Sequence, residues 1–206
     1  MAGAESASSQ GPADLSGLVR AAGAGDERAW RGLVAEYGPR VFALARSRLR
    51  DPDAAEEVTQ SVFATIAIKL REGRYTEHGK FEPWLFRIAM NRVRDTVRRT
   101  KRERPDGAGP RAEDQRRQPA PPEPPASVTA LRDALELLPR ADRDIIELRY
   151  HADLSFRQIA DLLDEPLGTL LARHHRALRK IQRILGVAPE PAAAESTPSG
   201  LGEVLP

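Results

Sequence analysis

Phe81-Glu-Pro-Trp-Leu-Phe-Arg-Ile-Ala-Met-Asn-Arg-Val-Arg-Asp-Thr-Val-Arg-Arg-Thr-Lys-Arg102 is the stretch on which the reading of this chain turns. At helical spacing Leu85, Ile88, Ala89, Val93, Thr96 and Val97 share one side, the stripe that an amphipathic helix buries. Arg87, Asn91, Arg94 and Arg98 share the other. Pro83 suits a first helical turn, where the amide hydrogen it lacks would be unpaired anyway. A row of guanidinium groups with an amide among them matches phosphates and base edges. Trp84 and Phe86 flank the stripe, where an exposed aromatic beside arginines can stack on unpaired bases. The same pattern also fits a solvated basic face with Trp84 tucked into a core, so the rest of the chain has to decide.

Around this stretch the charge is unevenly placed. The net charge of +2 says little by itself, but residues 87–104 hold eight basic side chains against Asp95 and Glu103. Residues 173–183 hold five and no acid. Two basic helices, each set against an acidic region elsewhere, point to two nucleic-acid contacts. The chain has no cysteine, which excludes disulfides, thiolate chemistry and cysteine-bound zinc and fits a reducing cytoplasm. Residues 1–17 lack a charged-then-apolar signal pattern, and no apolar run reaches membrane-spanning length, so a cytoplasmic protein without membrane insertion is expected.

Upstream of the basic stretch the pattern between leader and loop is helical. Residues 1–13 read as a disordered leader of Ala, Gly and Ser. A helical pattern starts at Leu15, pauses at Gly23-Ala24-Gly25 and resumes after Asp26, an N-cap candidate. Ala29, Trp30, Leu33, Val34, Tyr37, Val41, Leu44 and Ala45 continue the stripe, with Gly38-Pro39 expected to bend the helix rather than end it. Asp51-Pro52 is a fresh start, a cap followed by proline in the first turn. The helix it opens buries Ala55, Val58, Val62, Phe63, Ile66 and Leu70. Its first half is acidic through Asp53, Glu56, Glu57 and Gln60, which also suits the positive end of the helix dipole. Residues 73–80 form a polar loop before the basic helix.

Downstream, residues 105–125 contain seven prolines and almost nothing apolar, so they read as a flexible tether and a domain boundary. Val128, Leu131, Ala134, Leu135 and Leu138 give a further helix that ends at Pro139. Ile145, Ile146, Leu148 and Tyr150 lie on another. Ser155-Phe-Arg-Gln158 is a capping-box pattern opening a short helix with Phe156, Ile159, Leu162 and Leu163. After Asp164-Glu165, Pro166 starts a last helix to about Leu185. There Leu170, His174, Ala177, Leu178, Ile181, Ile184 and Leu185 share one face, while Thr169, Ala172, Arg176, Arg179 and Arg183 share the other. A capped short helix, a tight turn and a longer basic helix make a helix-turn-helix candidate, though a plain helical bundle fits too. His174 reads as a packed histidine, and His175 as a surface or backbone-contacting one. The expected fold is therefore all-α: a leader (1–13), a helical domain (14–104), a Pro-rich flexible linker (105–126), a helix-turn-helix domain (127–186) and a disordered tail (187–206). No glycine-rich phosphate loop, nucleophile elbow or metal-ligand pair is present, so neither an enzyme nor a cofactor or metal site is expected.

These residues together resemble bacterial sigma factors of the sigma-70 class, extracytoplasmic-function (ECF) type, over about residues 15–185. Asp53-Ala-Ala-Glu-Glu-Val-Thr-Gln-Ser-Val-Phe63 resembles region 2.2. That resemblance implies that Asp53, Glu56, Glu57, Gln60 and Phe63 meet the clamp helices of core RNA polymerase. Trp84 to Asn91, with Arg94, Asp95, Arg98 and Arg99 after it, resembles regions 2.3 and 2.4. It implies opening of promoter DNA and reading of the minus-ten element by Trp84, Arg87, Asn91, Arg94 and Arg98, with Tyr75, His78 and Lys80 of the preceding loop joining them. The segment from Leu154 through Ala177 resembles region 4.2, which implies minus-thirty-five contacts by Ser155, Arg157, Thr169, Ala172, Arg173, Arg176 and Arg179. The resemblance implies core RNA polymerase (clamp helices and flap) and promoter DNA as partners, with an anti-sigma factor among those to look for.

One departure stands out. After Gly168-Thr169 the family usually carries an apolar residue, a lysine or arginine and then a serine, whereas this chain has Leu170, Leu171 and Ala172. Minus-thirty-five recognition is therefore expected to be weakened, altered or carried by Arg173, Arg176 and Arg179. Two other readings stay open on the sequence alone: a helix-turn-helix regulator that never joins polymerase, and a sigma-like decoy that binds polymerase or an antagonist without directing initiation.

Overall fold

Asp26 and Asp51 set the architecture of the first half by fixing where two long helices begin. Their carboxylates accept from Arg28 and Ala29 amides (2.8 and 3.0 Å) and from the Asp53 amide (3.0 Å), satisfying donors that a helix start leaves open. The computed structural model describes residues 12–76, 78–103 and 125–187, and every element among them is helical. The helices are α1 (Pro12–Gly23), α2 (Glu27–Leu49), α3 (Pro52–Arg71), α4 (Phe81–Glu103), α5 (Ala126–Glu136), α6 (Arg140–Tyr150), α7 (Phe156–Leu163) and α8 (Leu167–Ile184). The expected leader, tether and tail lie outside the described residues, apart from 12–13, 125–126 and 187.

Between α1 and α2, Gly25 takes a positive φ of 95°, a conformation that costs glycine little. Between α2 and α3 the same duty falls to Arg50 at φ 58°. α2 runs unbroken through Gly38-Pro39. Leu33, Val41, Leu44, Val62, Ile66, Leu85, Phe86 and Ala89 are fully buried where α2, α3 and α4 meet. Aromatic edges lock this centre: Trp30 meets Phe63 at 6.1 Å, and Tyr37 meets Phe81 at 5.6 Å.

In the second half α6 and α8 pack around Ile146, Ala177 and Ile181, with Ala134, Leu135 and Leu138 of the α5 end closing a small core. Val128 and Leu131, which the pattern placed on α5's buried stripe, are exposed, because only the last turns of α5 reach α8. The larger core is continuous across both halves. Ile145, Leu148, Ala152, Leu154, Ile159, Leu162 and Leu170 join the cluster built by α1 to α4. The two helical units therefore sit against each other, α7 on α4 and α6 on α2.

A buried ionic cluster pins that junction. Asp144 and Glu147 of α6, 5% and 0% exposed, face α2 and α4. Arg48 donates to Asp144 at 2.5 Å and to Glu147, while Arg94 donates to Asp144 at 2.8 Å. Arg143 and Ser47 complete the shell of Glu147 at 2.7 and 3.2 Å. Burial alone would lower the Arg48 guanidinium, but Glu147 and then Asp144 more than offset it and hold it above the usual arginine value. Charges so far from water persist only when each is paired and hydrogen-bonded, which is the case for Arg48 and both carboxylates.

Candidate nucleic-acid interface

α4 divides its side chains as its periodicity requires. Leu85, Ala89 and Val93 are buried, while Arg87, Asn91 and Arg98 are exposed. Phe86 does not flank the stripe as the sequence suggested. It is 0% exposed, with the Arg40 guanidinium 5.2 Å above its ring, and so belongs to the core. Val97 goes the other way and is 38% exposed. Towards the end of α4, Asp95, Arg98, Arg99 and Arg102 line a shallow surface hollow. Arg99 reaches Glu57 of α3 at 3.8 Å.

The loop before α4 brings its aromatic to the helix. Tyr75 stacks on Trp84 with centroids 4.2 Å apart and meets Phe81 edge-on at 5.8 Å. One face of the half-buried indole is thus covered by Tyr75, and the pair forms a small aromatic ledge beside the arginine row. His78 and Lys80 of the same loop are exposed.

Three of the cations expected on DNA already have protein partners across the junction. Arg87 donates to the Asp161 and Leu162 carbonyls at 3.2 and 3.1 Å, Arg94 is held by Asp144, and Lys80 lies 3.5 Å from Asp161. Beside them Arg40 bridges Glu82 (3.0 Å) and the Ala152 carbonyl (2.9 Å), while Gln158 donates to Glu82. Arg98 and Asn91 are the exposed members of the row with no partner across the junction among the described residues, Asn91 accepting a 3.4 Å contact from Arg94.

On α3, Asp53, Glu56, Glu57 and Gln60 are exposed on one side, with Gln60 donating to Glu56 at 3.1 Å. Phe63 is not on that surface. It is 7% exposed and packs edge-on against Trp30 in the core.

α7 and α8 form the helix-turn-helix. Ser155 and Gln158 make the reciprocal capping box (2.8 and 3.2 Å), and Asp164 turns the chain at φ 56°. Leu170, His174, Ala177 and Ile181 are buried, leaving Thr169, Ala172, Arg176, Arg179 and Arg183 outward. Ser155 and Arg157 are exposed at the start of α7. Arg173 is occupied: Glu165 accepts from it at 2.6 and 2.8 Å and Asp142 at 3.1 Å, and the Glu165 bond leads in raising its affinity for the proton. His174 sits between Tyr150 and Phe156, its Nε2 buried without a hydrogen-bond partner. Burial, then His175 and Arg149, lower its pKa and so favour the neutral imidazole. His175 is exposed.

Sequence reasoning missed Arg48, Asp144, Glu147 and Arg40. The available signal was the i, i+3 pair Asp144 and Glu147 interleaved with Ile145, Ile146 and Leu148, which puts acids on a helix with little solvated face. No group of His, Asp or Glu among the described residues is arranged to hold a metal, and no described helix is long and apolar enough to cross a membrane.

Comparison with known proteins adds to this geometry. The family model for Sigma-70 region 2 matches residues 33–103, and that for Sigma-70 region 4 matches residues 134–183. The chain is 32% identical over 168 residues to the RNA polymerase sigma factor CarQ of Myxococcus xanthus, covering 79% of this chain and 92% of CarQ. It is 31% identical over 177 residues to the ECF RNA polymerase sigma factor SigD of Mycobacterium tuberculosis, covering 82% of each. In fold it is similar to CnrH in its complex with the cytosolic domain of CnrY (TM-score 0.62, 23% identity, 83% of this chain and 96% of that one). It is also similar in fold to RpoE of Bartonella quintana in complex with the anti-sigma factor NepR (TM-score 0.60, 22% identity, 77% and 98%).

Proposed function

Because the chain belongs to the extracytoplasmic-function subfamily of sigma-70 RNA polymerase sigma factors, we propose that it joins core RNA polymerase, reads a minus-ten and a minus-thirty-five element, and promotes opening of the duplex between them. The family is one of transcription initiation factors, not enzymes. The observation that carries the finer reading is α4: an apolar buried side, an outward row of Arg87, Asn91 and Arg98, and the Tyr75–Trp84 ledge at its start. Such a helix suits a separated strand, with cations on the phosphates and an aromatic surface against bases. Opening then draws on binding energy that favours the single strand over the duplex, with no nucleotide hydrolysis by this chain.

The acidic side of α3, Asp53 with Glu56, Glu57 and Gln60, is the surface we assign to the polymerase clamp helices, and α8 the one assigned to upstream duplex. The exposed apolar side chains of α5, Val128 and Leu131, are the side we assign to the flap. Since Arg87, Arg94 and Lys80 are engaged by α6 and α7, the arrangement described is closed with respect to α4, and promoter binding requires α6 and α7 to move off it. An anti-sigma factor, the kind of partner named for the Bartonella quintana protein, is the natural antagonist in this reading.

Size-exclusion chromatography with core polymerase tests the proposal. A one-to-one complex that retains a promoter fragment is expected, and Glu56→Lys with Glu57→Lys should abolish it by reversing the acidic side of α3. Failure of the unaltered protein to co-elute with core enzyme would overturn it.

A further inference from the structure

The first turns of α8 carry no free cation. From Leu167 to Ala172 there is no charged side chain, and the first one reached, Arg173, is held by Glu165 and Asp142. Apart from the Thr169 hydroxyl, what this end of the helix offers to solvent is apolar. Leu167 is 40% and Leu171 37% exposed, and Ala172 is exposed beside them. A Cβ added at Gly168 would meet nothing within 4 Å, so this end of the helix stands open. The flanks are different: Arg157 at the start of α7 and Arg176 and Arg179 further along α8 are exposed and have no acidic partner among the described residues.

In a helix-turn-helix the N-terminal residues of the second helix meet base edges while cations around them hold the backbone. Side chains without donors or acceptors cannot complete hydrogen bonds to guanine, cytosine or adenine edges, and would leave those groups unpaired at the interface. The one apolar feature in the major groove is the 5-methyl group of thymine. Resting on the sigma-factor reading above, we propose that Leu171 and Ala172 are specificity-determining residues that read thymine methyl groups in the upstream promoter element. Arg157, Arg176 and Arg179 hold the phosphates on either side. Upstream recognition is then a matter of methyl contact and charge, and Arg173 positions α8 against α6 and the turn instead of touching DNA.

The test uses the full chain in complex with core polymerase. Duplexes randomised across the upstream element are selected for binding, and each thymine in the selected sequence is then replaced by deoxyuridine, which removes the methyl group alone. Thymine is expected to be enriched at one or more positions, and its replacement should weaken binding about fourfold per methyl, the effect of burying one such group. In Leu171→Ala and Ala172→Gly that sensitivity should shrink. Both side chains are exposed and Ala is the stronger helix former, so L171A leaves the fold in place, as a melting curve will confirm. A selected element without thymine, deoxyuridine duplexes bound as tightly as thymine ones, or an undiminished methyl effect in both variants would each overturn the proposal. A complex that initiates from a downstream element while selecting nothing upstream overturns it too, and leaves the sigma reading standing. If no complex with polymerase forms, the premise falls and the proposal with it.

Discussion

His174 shows how a single side chain ties this fold to pH. Its imidazole is pressed between Tyr150 and Phe156, and burial lowers its pKa; burial lowers that of His151 as well. Below the unfolded value near 6.5 the unfolded chain binds more protons than the folded one, so stability is fully present above that pH and falls as the pH drops through and below it. Urea denaturation at pH 7.5 and 5.5 should therefore show a lower midpoint in acid, and His174→Leu should reduce the difference. An unchanged pH dependence in H174L would mean that the imidazole is protonated in place. Arg173 makes a second case at this scale. Since Glu165 and Asp142 hold it, Arg173→Ala should cost about 1 kcal/mol of stability and leave the salt dependence of DNA binding unaltered. The exposed Arg176, replaced by alanine, should show the reverse. The sequence placed both arginines on DNA alike, because nothing local distinguishes a free guanidinium from one that a turn carboxylate eight residues earlier will claim.

At the scale of the helix, α4 was legible from its periodicity, as were the caps at Asp26, Asp51 and Ser155 and the pairing of α7 with α8. Those features depend on residues two to four apart. Phe86 was misjudged because a stripe drawn from one helix is narrower than the side it buries when α2 and α3 both press on it. Asp144 and Glu147 escaped notice because their partners lie far along the chain, Arg48 being 99 residues from Glu147 and Arg94 being 50 from Asp144. Helical spacing carries no information about such pairs. Two measurements address these elements. Arg98→Ala should lower DNA affinity at all sequences and reduce the slope of log affinity against log salt by about 1, the signature of one lost phosphate contact. Glu147→Ala leaves Arg143 without its carboxylate and Arg48 with Asp144 alone, and equilibrium unfolding should show a loss of about 3–5 kcal/mol. Combining Arg48→Met with Glu147→Leu should recover part of that loss, since a well-packed apolar pair avoids the desolvation that the ions incur.

For the molecule as a whole, the continuous core and the ionic cluster set up a competition: the Asp144 and Asp161 carboxylates occupy Arg94 and Lys80, cations that the sigma reading assigns to the promoter. Asp144→Asn with Asp161→Asn should loosen the closed arrangement, raise the radius of gyration in small-angle X-ray scattering and tighten binding to minus-ten single strands. An unchanged radius with unchanged binding would show that α6 and α7 do not compete with DNA. That the chain holds two helical units was readable from composition, whereas their mutual packing was not, because the prolines of 105–125 report a break in the chain and say nothing of what meets across it. Direction of initiation by this protein is read by run-off transcription. Core RNA polymerase from the source organism, with and without this protein, is given the promoter upstream of its own gene. A discrete start is expected that appears only with the protein and is lost in Arg98→Ala with Trp84→Ala. Binding to polymerase with no specific start on that or other genomic promoters, or binding to DNA with no affinity for polymerase, would contradict it.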